Sequence, residues 1–467
     1  MRRKPERRSL DAQFITYILG IRYRKCTSAG VDWLDKRTTL GRAMPFNSIA
    51  RTAEFNMNIF DALNERGLVA QSTDPAAIQK LVGDGSTTIY CGFDPTAPSL
   101  HAGSLVPILT LARLQRAGHR VIAVCGGATA MVGDPSGKTS MRPMLAREDL
   151  ERNVAGIRSQ MERYLVLDGE RGILVDNSQW LGGLNWLQAL RTIGRHFSIN
   201  RMLSYETYKV RLETGLSYLE LSYQLLQAYD FLHLYQTEGC RIQIGGDDQW
   251  ANIISGMDLV RRVEQESVEG WTLPLLTTAS GAKMGKTESG ALWLDAERTS
   301  PYDFYQYWIN VDDRQVRDCF HFFSLMPTDE VATLCGPEGA PIQEQKRRLA
   351  WEITALVHGE DEAKRATEAA RALFGGRGAD MSSVPSSELY ASRLAEGYAL
   401  GDAFVDCGLT KSRGELRRLA QQGGVYVNGE RVDRWDLVLG TEHVDDGAIL
   451  LRAGKKRHHR LQIISGD

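Results

Sequence analysis

The sequence predicts an α/β protein: a domain built on a mostly parallel sheet, then an α-helical domain, then a small α+β domain. Three observations support this prediction. Short apolar strands alternate with amphipathic helices between residues 57 and 299, strand patterns stop after Thr299, and tight-turn signals appear in residues 398–467. Because strands that alternate with helices run parallel, we expect ligands to bind at the carboxyl ends of the strands.

The first domain is predicted at residues 57–299, and its elements follow from the spacing of apolar residues. Strands are predicted at residues 87–91, 120–125, 172–175 and 241–244. Helices are predicted at residues 105–115, 221–229 and 249–263. The glycine-rich segments 126–127 and 133–138 come after the second strand and predict a long loop.

The helical domain is predicted at residues 300–375. Ser300 is a favourable N-cap, Pro301 suits the first helical position, and Asp303 places a carboxylate in the first turn. Residues 376–397 begin with a stretch rich in Gly, Ser and Pro, and we interpret them as a linker.

The final domain, residues 398–467, combines a basic helix with two tight turns. Ser412 and Glu415 have the spacing of a capping box, Asn428-Gly429 predicts a hairpin, and Asp446-Gly447 predicts a second turn. Charge runs are usually solvated surface, but here a basic helix, a hairpin and a basic tail share one small unit. We therefore predict RNA binding by Arg413, Arg417, Arg418, Lys455 and Lys456.

Residues 1–56 differ from the rest in charge, with 12 Lys and Arg against 5 Asp and Glu. We interpret them as a disordered leader or as a start assigned too far upstream, with Met57 beginning the first domain. A signal peptide has a longer apolar run, and a transit peptide has fewer acidic residues.

Composition excludes some other classes. The chain has 467 residues, a net charge near −2 and seven cysteines without a Cys-x-x-Cys pair. Net charge thus gives no general attraction to nucleic acid, and the cysteines indicate a reducing compartment and no zinc site. No segment has the length and apolarity to span a membrane, so we expect a cytoplasmic protein.

Three short motifs suit a nucleotide. His-Ala-Gly-Ser at residues 101–104 opens a helix directly after a strand, where backbone N–H groups can bind an anion. Lys-Met-Gly-Lys-Thr at residues 283–287 is a glycine-containing loop with two lysines. Between them, Gly-Gly-Asp-Asp-Gln at residues 245–249 is a strand-to-helix turn with the character of a ribose site.

Polar residues also mark one face of a predicted helix. Tyr223, Gln227 and Asp230 are spaced i, i+4, i+7 among apolar neighbours. Such groups must find hydrogen-bond partners, either in a core network or in a polar amino acid substrate. The sequence leaves both readings open.

The motifs together resemble a known family. Tyr-Cys-Gly-Phe-Asp-Pro-Thr-Ala-Pro-Ser-Leu-His-Ala-Gly at residues 90–103 resembles the first signature of bacterial tyrosyl-tRNA synthetases, which are class I enzymes. The other motifs follow in that family's order, and residues 398–467 resemble its S4-type RNA-binding domain. The resemblance covers residues 57 to about 460. It implies a Rossmann-type catalytic domain, an anticodon-binding helical domain and an S4-like domain.

The resemblance implies an activity and its residues. L-tyrosine and ATP would form tyrosyl-adenylate and pyrophosphate, and tyrosine would pass to the 3′ end of tRNA(Tyr). The residues implied to bind tyrosine are Tyr90, Asp134, Tyr223, Gln227, Asp230 and Gln249. Those implied to bind ATP are Cys91, Gly92, Asp94, Gly103, Ser104, Gly246, Asp248 and Lys286. Those implied to act in catalysis are Thr96, His101, Lys138, Arg142, Lys283, Lys286 and Thr287.

Two residues in these motifs depart from the residue that the family usually has, and a third has a second interpretation. Ser104 stands where the family usually has histidine, so its contact is expected to be weaker or bridged by water. Asp247 stands where serine is frequent. Cys91 is equally compatible with a buried strand cysteine. The resemblance also implies a homodimer, and Mg²⁺ is expected to arrive with ATP because the sequence shows no dedicated metal site.

Three alternatives remain at this stage. A nucleotidylyltransferase shares the fold but lacks the polar helix face and the RNA-binding end. A tryptophanyl-tRNA synthetase lacks the S4-type domain. A non-catalytic RNA-binding protein on the same fold would not need the lysines at positions 283 and 286.

Overall fold

The computed structural model describes residues 57–136, 146–277, 284, 286–287, 290–375, 384–454 and 457–464. At residues 210, 286–287, 290 and 372–375 the description covers the backbone alone. The leader at residues 1–56 therefore lies outside the described residues, as do the predicted site residues Lys138, Arg142, Lys283, Lys455 and Lys456.

The first domain alternates strands and helices as predicted. Its strands are β1 (Gln71–Ser72), β2 (Thr88–Phe93), β3 (Arg120–Cys125), β4 (Gly172–Asp176), β5 (Cys240–Gly246) and β6 (Glu269–Leu273). Its helices are α1 (Ile59–Glu65), α2 (Pro75–Gly83), α3 (Ala102–Arg116), α4 (Thr129–Val132), α5 (Arg147–Met161), α6 (Ser178–Leu181), α7 (Trp186–Thr192), α8 (Ile199–Ser204), α9 (Glu206–Thr214), α10 (Tyr218–Glu238) and α11 (Trp250–Glu264). A two-stranded hairpin of β7 (Lys286–Thr287) and β8 (Gly290–Ala291) follows.

The strands form one six-stranded sheet in the order β1-β6-β5-β2-β3-β4. Strands β2 to β6 run parallel, and only the short edge strand β1 is antiparallel. All four predicted strands are confirmed. Strand β6 is missed by the sequence reading, although all five of its residues are buried, because Glu269 and Gly270 interrupt its apolar pattern. The carboxyl ends of the parallel strands meet at one edge, where ligands bind in such sheets.

One apolar core joins the sheet to the helical domain. The helices of that domain are α12 (Pro301–Ile309), α13 (Val316–Phe323), α14 (Thr328–Leu334), α15 (Ile342–His358) and α16 (Glu360–Gly375). Ser300 caps α12 as predicted, because its Oγ accepts from the N–H of Asp303 at 3.1 Å. Trp308 packs in the same core cluster as Ile108 and Trp271. The all-helical character of residues 301–375 is thus confirmed, and these helices continue the core of the sheet.

The C-terminal part forms a second core of its own. Its elements are β9 (Ser386–Tyr390), α17 (Ala391–Ala395), β10 (Tyr398–Ala399), α18 (Leu400–Asp406), α19 (Arg413–Gln421), β11 (Val425–Val427), β12 (Glu430–Arg431), β13 (Val438–Leu439), β14 (Ala448–Ala453) and β15 (Arg457–Ile464). Five of these strands pair in the order β12-β11-β14-β15-β9. Asn428 and Gly429 have φ of 50° and 84°, as a tight β11–β12 hairpin requires. Both predicted turns are confirmed.

The prediction of a linker over residues 376–397 is wrong in its second half. Strand β9 pairs in parallel with β15, and α17 follows it directly. The low apolar content of β9 hid this strand, because it is an edge strand with one buried residue, Leu389. Residues 376–383 lie outside the described residues.

The start of α10 is fixed by a capping box and by a buried ion pair. Ser217 and Glu220 exchange the two hydrogen bonds of the box. Glu220 Oε1 also accepts from Arg211 of α9 at 2.7 Å, and both side chains are 3% exposed. Arg211 further donates to the carbonyl oxygen of Gly215, so the α9–α10 connection is held from both sides.

Among the described residues, no helix combines the length and the apolar character that a membrane span requires.

We predict that Arg211→Met destabilises the fold. The substitution leaves the Glu220 carboxylate buried without its cation, which costs about 3 kcal/mol of unfolding free energy. Lys209→Met removes an ion pair on the same helix whose partners are 53% and 83% exposed, and it should cost under about 1 kcal/mol. Urea unfolding of the full chain measures both. Equal shifts of the two midpoints would contradict the role given to the buried pair.

Candidate active site

A chain of hydrogen bonds crosses the carboxyl-terminal edge of the sheet and connects two residues of α10. The Tyr223 hydroxyl donates to Asp94 Oδ2 at 2.9 Å, and Thr129 Oγ1 donates to Asp94 Oδ1 at 2.9 Å. Asn177 Nδ2 lies 3.0 Å from both Thr129 Oγ1 and Asp230 Oδ2. Asp94, Thr129 and Asn177 follow β2, β3 and β4, so neighbouring parallel strands deliver these side chains to one place.

Asp230 is the more deeply buried of the two carboxylates in this hydrogen-bond network, at 4% exposure. Trp180 Nε1 donates to its Oδ1 at 2.7 Å, and Asn177 donates to its Oδ2. Burial raises the pKa of Asp230 to about 7, although these two donors lower it. Half-buried Gln227 lies between Tyr223 and Asp230 on the predicted helix face. A buried acid that titrates near neutral pH beside polar partners is typical of a functional site.

Tyr90 contributes a hydroxyl that lacks a partner. The residue is 1% exposed, and its ring packs edge-to-face on Phe231 with 5.2 Å between centroids. Its hydroxyl is buried and makes no hydrogen bond within the described residues. Burial first, and then the charge of Asp230, raise the pKa of Tyr90. Because an unpaired buried hydroxyl costs about 1–3 kcal/mol, a ligand that supplies a polar group here would stabilise the pocket.

Two adjacent glycines let the strand ends approach this closely. A Cβ at Gly126 would overlap Asp94 Oδ1 and Thr129 Oγ1. A Cβ at Gly127 would overlap the carboxylate of Asp176. The glycine pair after β3 is therefore required by the packing of polar side chains against the backbone.

A second polar cluster lies between the loop after α4 and the start of α11. Gln249 Nε2 donates to Asp134 Oδ2 at 2.7 Å, and Asn252 donates to Gln249 Oε1 at 3.0 Å. The Asp134 carboxylate also accepts from the N–H of Ser136 at 2.9 Å. Burial raises the pKa of Asp134, against the effect of these donors. Asp134 and Gln249, both predicted to bind the amino acid, thus contact each other directly.

The first motif lies at the start of α3. His101 is the exposed N-cap residue, and its ring lies 6.5 Å from that of Trp293. A Cβ at Gly103 would lie 3.0 Å from the His101 ring, so glycine keeps space for that ring. Ser104 is half-buried in the first turn, and Thr96 is exposed in the loop before α3.

The third motif turns from β5 into α11 as predicted. Half-buried Asp248 stands in a short 3₁₀ turn, and a Cβ at Gly246 would lie 2.9 Å from its Oδ1. Asp247 is held by Gln71 Nε2 and Thr272 Oγ1, each at 2.7 Å. The unusual aspartate at 247 is therefore tied to the sheet edge, and Asp248 is the second carboxylate of this turn.

Cys91 and Gly92 sit side by side on β2 with different surroundings. Cys91 is 2% exposed within the main core, and burial raises the pKa of its thiol to about 12. This placement favours the interpretation of Cys91 as a buried strand cysteine. Gly92 is exposed, and a Cβ there would meet nothing within 4 Å.

The lysine-containing loop is described only in part. Met284, between the two predicted lysines, is 6% exposed in the main core, and its N–H donates to the carbonyl oxygen of Leu276 at 2.6 Å. The backbone of Lys286 and Thr287 pairs with β8. Met284 is thus anchored in the core. Leu292, just after β8, lies at the start of α3, since its carbonyl oxygen accepts from the N–H of Ala102.

The predicted RNA-binding cations of α19 differ from one another. Ser412 caps the helix as predicted, but Glu415 accepts from Lys411 N–H and not from Ser412. Arg413 pairs with Asp402 at 2.5 Å, so its charge is locally balanced. Arg417 and Arg418 are exposed, and no ion pair with either is found in the described part of the chain.

Sequence reasoning missed three residues of the central hydrogen-bond chain. Asn177 and Trp180 follow β4 in a segment without a recognised motif, and Thr129 lies between the two glycine-rich segments. The available signal was positional, since Asn177 comes just after the predicted strand at residues 172–175, and ligand sites form at strand ends. In the described ranges, no group of three or more His, Cys, Asp or Glu side chains could hold a metal ion.

Comparison with known proteins agrees with this geometry. Residues 84–375 match the family model described as tRNA synthetases class I (W and Y). Residues 379–461 match the model described as the tyrosine–tRNA ligase SYY-like C-terminal domain. The chain belongs to the class I tRNA synthetases.

Relatives specify the member of this family. The chain is 48% identical to a tyrosine–tRNA ligase of Clostridium tetani over 87% of this chain and 99% of the relative. It is 50% identical to that of Clostridium beijerinckii over the same shares. A C-terminally truncated mitochondrial tyrosyl-tRNA synthetase of Aspergillus nidulans superposes with a TM-score of 0.60, at 30% identity, over 68% of this chain and 94% of that one. Within its family the chain is a tyrosine–tRNA ligase.

These matches decide among the alternatives left by the sequence. The C-terminal model and the relatives exclude a tryptophan-specific member, and the relatives are ligases, so the alternative of a non-catalytic RNA-binding protein is set aside. A nucleotidylyltransferase would not match a synthetase model over 84–375.

We predict that Gly126→Ala lowers the rate of tyrosine activation about a hundredfold, because the new methyl group displaces Asp94 by the order of an ångström. Gly183→Ala is the matched control, since a Cβ there meets nothing within 4 Å. Single-turnover activation kinetics measure the effect, with thermal unfolding to check the fold. A Gly126→Ala rate equal to that of Gly183→Ala would contradict the packing role of this glycine.

Proposed function

We propose that the pocket between Tyr90 and Asp230 binds the phenol of L-tyrosine. The observation that carries this proposal is a buried acid held by Asn177 and Trp180, beside the buried Tyr90 hydroxyl, which has no partner among the described residues. The phenol hydroxyl of tyrosine would donate to Asp230 and accept from Tyr90, so every polar group becomes paired. Phenylalanine would leave the Tyr90 hydroxyl without a partner and would add no donor to Asp230, which is the physical basis of its rejection.

The polar groups farther along the cleft suit the other end of the amino acid. An ammonium group needs acceptors, and Asp134, Gln227 and the hydroxyl of Tyr223 would supply them. Gln249 holds the Asp134 carboxylate through its amide, so it acts as a positioning residue there. Tyrosine would thus lie across the strand ends with its carboxylate toward the start of α3.

ATP would bind beside that carboxylate. His101, Gly103, Ser104 and Thr96 border the phosphate side, and Gly246 and Asp248 suit the adenosine side. A carboxylate oxygen of tyrosine attacks the α-phosphorus, the bond to the β-phosphate oxygen breaks, and pyrophosphate leaves. No enzyme nucleophile is needed, so the residues act by positioning and by stabilising negative charge on phosphate oxygens.

The loop lysines and Mg²⁺ would assist the leaving group. Lys138, Arg142, Lys283, Lys286 and Thr287 are proposed to close on the pyrophosphate. Mg²⁺ would arrive with the ATP phosphates, since it is commonly bound through substrate phosphates and few carboxylates. In the second step a 3′-terminal ribose hydroxyl of tRNA(Tyr) attacks the tyrosyl carbonyl carbon, and AMP leaves.

A homodimer is supported by an exposed apolar surface next to α10. Helix α7 buries none of its residues, and Leu187 is 69% exposed on it. Trp186 and Tyr218 are exposed and pack edge-to-face with 6.3 Å between centroids, which joins α7 to the start of α10. Such contiguous apolar surface is typical of a protein interface, and a second copy of the chain is the proposed partner.

The proposed reaction is tested by exchange of labelled pyrophosphate into ATP. We expect exchange that requires tyrosine, and charging of tRNA(Tyr) by the same preparation. Exchange that is absent with tyrosine would contradict the proposal, whatever other amino acid supports it.

We predict that tyrosine affinity rises with pH up to about 7 and is level above it. The free enzyme keeps a proton on Asp230 below its pKa of about 7, and this proton must leave before the carboxylate accepts from the phenol. The dissociation constant should therefore fall by up to about tenfold per pH unit between 5.5 and 7. Equilibrium dialysis measures it.

Two variants serve as controls for this pH dependence. Asp230→Asn should bind tyrosine weakly and without the step near pH 7. Asp134→Asn should keep the step, because Asp230 is intact. A step that survives in Asp230→Asn would assign the titration to another group.

We predict that Leu187→Asp dissociates the dimer, because it places a charge in the apolar surface of α7. Tyr390→Asp is the control, with a 49% exposed aromatic residue in the C-terminal domain. Sedimentation equilibrium measures the mass of each. A monomeric wild-type chain, or a Leu187→Asp variant that remains dimeric, would contradict this interface.

A further inference from the structure

An exposed tryptophan stands beside the basic helix of the C-terminal domain. Trp435 lies in the connection between β12 and β13, and it is 41% exposed. The guanidinium of Arg417 lies over its ring, 5.5 Å from the centroid. The indole is thus held by a contact with α19 and still offers ring surface to solvent.

The charges around Trp435 favour an anionic partner. The cations of its own loop are balanced locally, since Arg431 pairs with Asp433 at 2.7 Å and Arg434 with Asp436 at 3.2 Å. Arg417 and Arg418 on the neighbouring helix are exposed and, within the described residues, pair with no carboxylate. The uncompensated positive charge therefore lies on the side of the indole that faces α19.

We propose that Trp435 and Arg417 form a stacking platform for an unpaired nucleotide of the tRNA. A base would stack on the exposed indole, and Arg417 and Arg418 would bind the adjoining phosphates. Aromatic rings with cations alongside are the usual means of holding single-stranded nucleotides, and a base in a duplex has no free face for this contact. This proposal rests on the proposed function, because it assigns a contact to the tRNA substrate.

The experiment compares four full-length proteins: wild type, Trp435→Ala, Trp435→Phe and Tyr390→Ala. Tyr390 is the matched control, because β9 and β12 are at opposite edges of the same five-stranded sheet and Tyr390 is also an exposed aromatic residue, at 49% against 41% for Trp435. Binding of labelled tRNA(Tyr) is measured directly, without ATP or tyrosine, and the KM for tRNA in aminoacylation is measured in parallel.

Loss of one stacked base weakens binding on the order of tenfold. We expect that loss in Trp435→Ala, largely restored in Trp435→Phe, with Tyr390→Ala like wild type. In aminoacylation the change should appear in the KM for tRNA more than in kcat. Trp435→Ala binding equal to that of Tyr390→Ala would overturn the platform.

Two further readouts separate stacking from a structural role. The fluorescence of Trp435 is the difference between wild type and Trp435→Phe. This fluorescence should be quenched when tRNA binds, and should be unchanged with a blunt RNA duplex. Arg417→Gln should lower the slope of log affinity against log salt by about 1, as loss of one phosphate contact does. No quenching on tRNA binding would contradict the platform. A wild-type chain that binds tRNA at Trp435 without tyrosine-dependent exchange would contradict the proposed function and support the platform.

Discussion

The buried carboxylate of Asp230 is the constraint around which the site is built. Removing a carboxylate from water is costly, and the protein offsets this with the amide of Asn177 and the indole of Trp180. The part of this cost that the two donors do not offset raises the pKa of Asp230 to about 7. Beside it, the buried hydroxyl of Tyr90 has no hydrogen-bond partner among the described residues, which is a second penalty. In the proposed complex, the tyrosine hydroxyl between these groups would remove both penalties, so that binding and selectivity would come from the same interaction.

The parallel sheet makes this arrangement possible. Asp94, Thr129 and Asn177 are far apart in sequence, but they follow the neighbouring strands β2, β3 and β4. The sheet therefore brings them together in one hydrogen-bond network. Helix α10 closes the network from one side with Tyr223 and Asp230. The same helix begins at the Arg211–Glu220 pair and beside the exposed surface of α7, so the pocket, a buried ion pair and the proposed subunit interface share one rigid element.

Motifs and periodicity were enough to predict the strands β2 to β5, the helical domain, the hairpin at Asn428 and the polar face of α10. They were not enough for β6, because Glu269 and Gly270 interrupt its apolar pattern. They were also not enough for β9, because this edge strand has only one buried residue and so shows no periodic signal. Asn177 and Trp180 were missed for a different reason. Their role depends on which strand ends are neighbours, and sheet order is not contained in any local pattern. Local charge was also misleading at Arg413, whose partner Asp402 lies on another helix.

The proposed function places the phenol of tyrosine between Tyr90 and Asp230, in one cleft with ATP. A crystal structure of the chain with an unreactive tyrosyl-adenylate analogue would show whether it lies there. We expect a phenol oxygen within hydrogen-bond distance of both Asp230 and Tyr90, with the adenosine against Gly246 and Asp248. An analogue bound elsewhere, or one whose phenol oxygen contacts neither residue, would refute this placement.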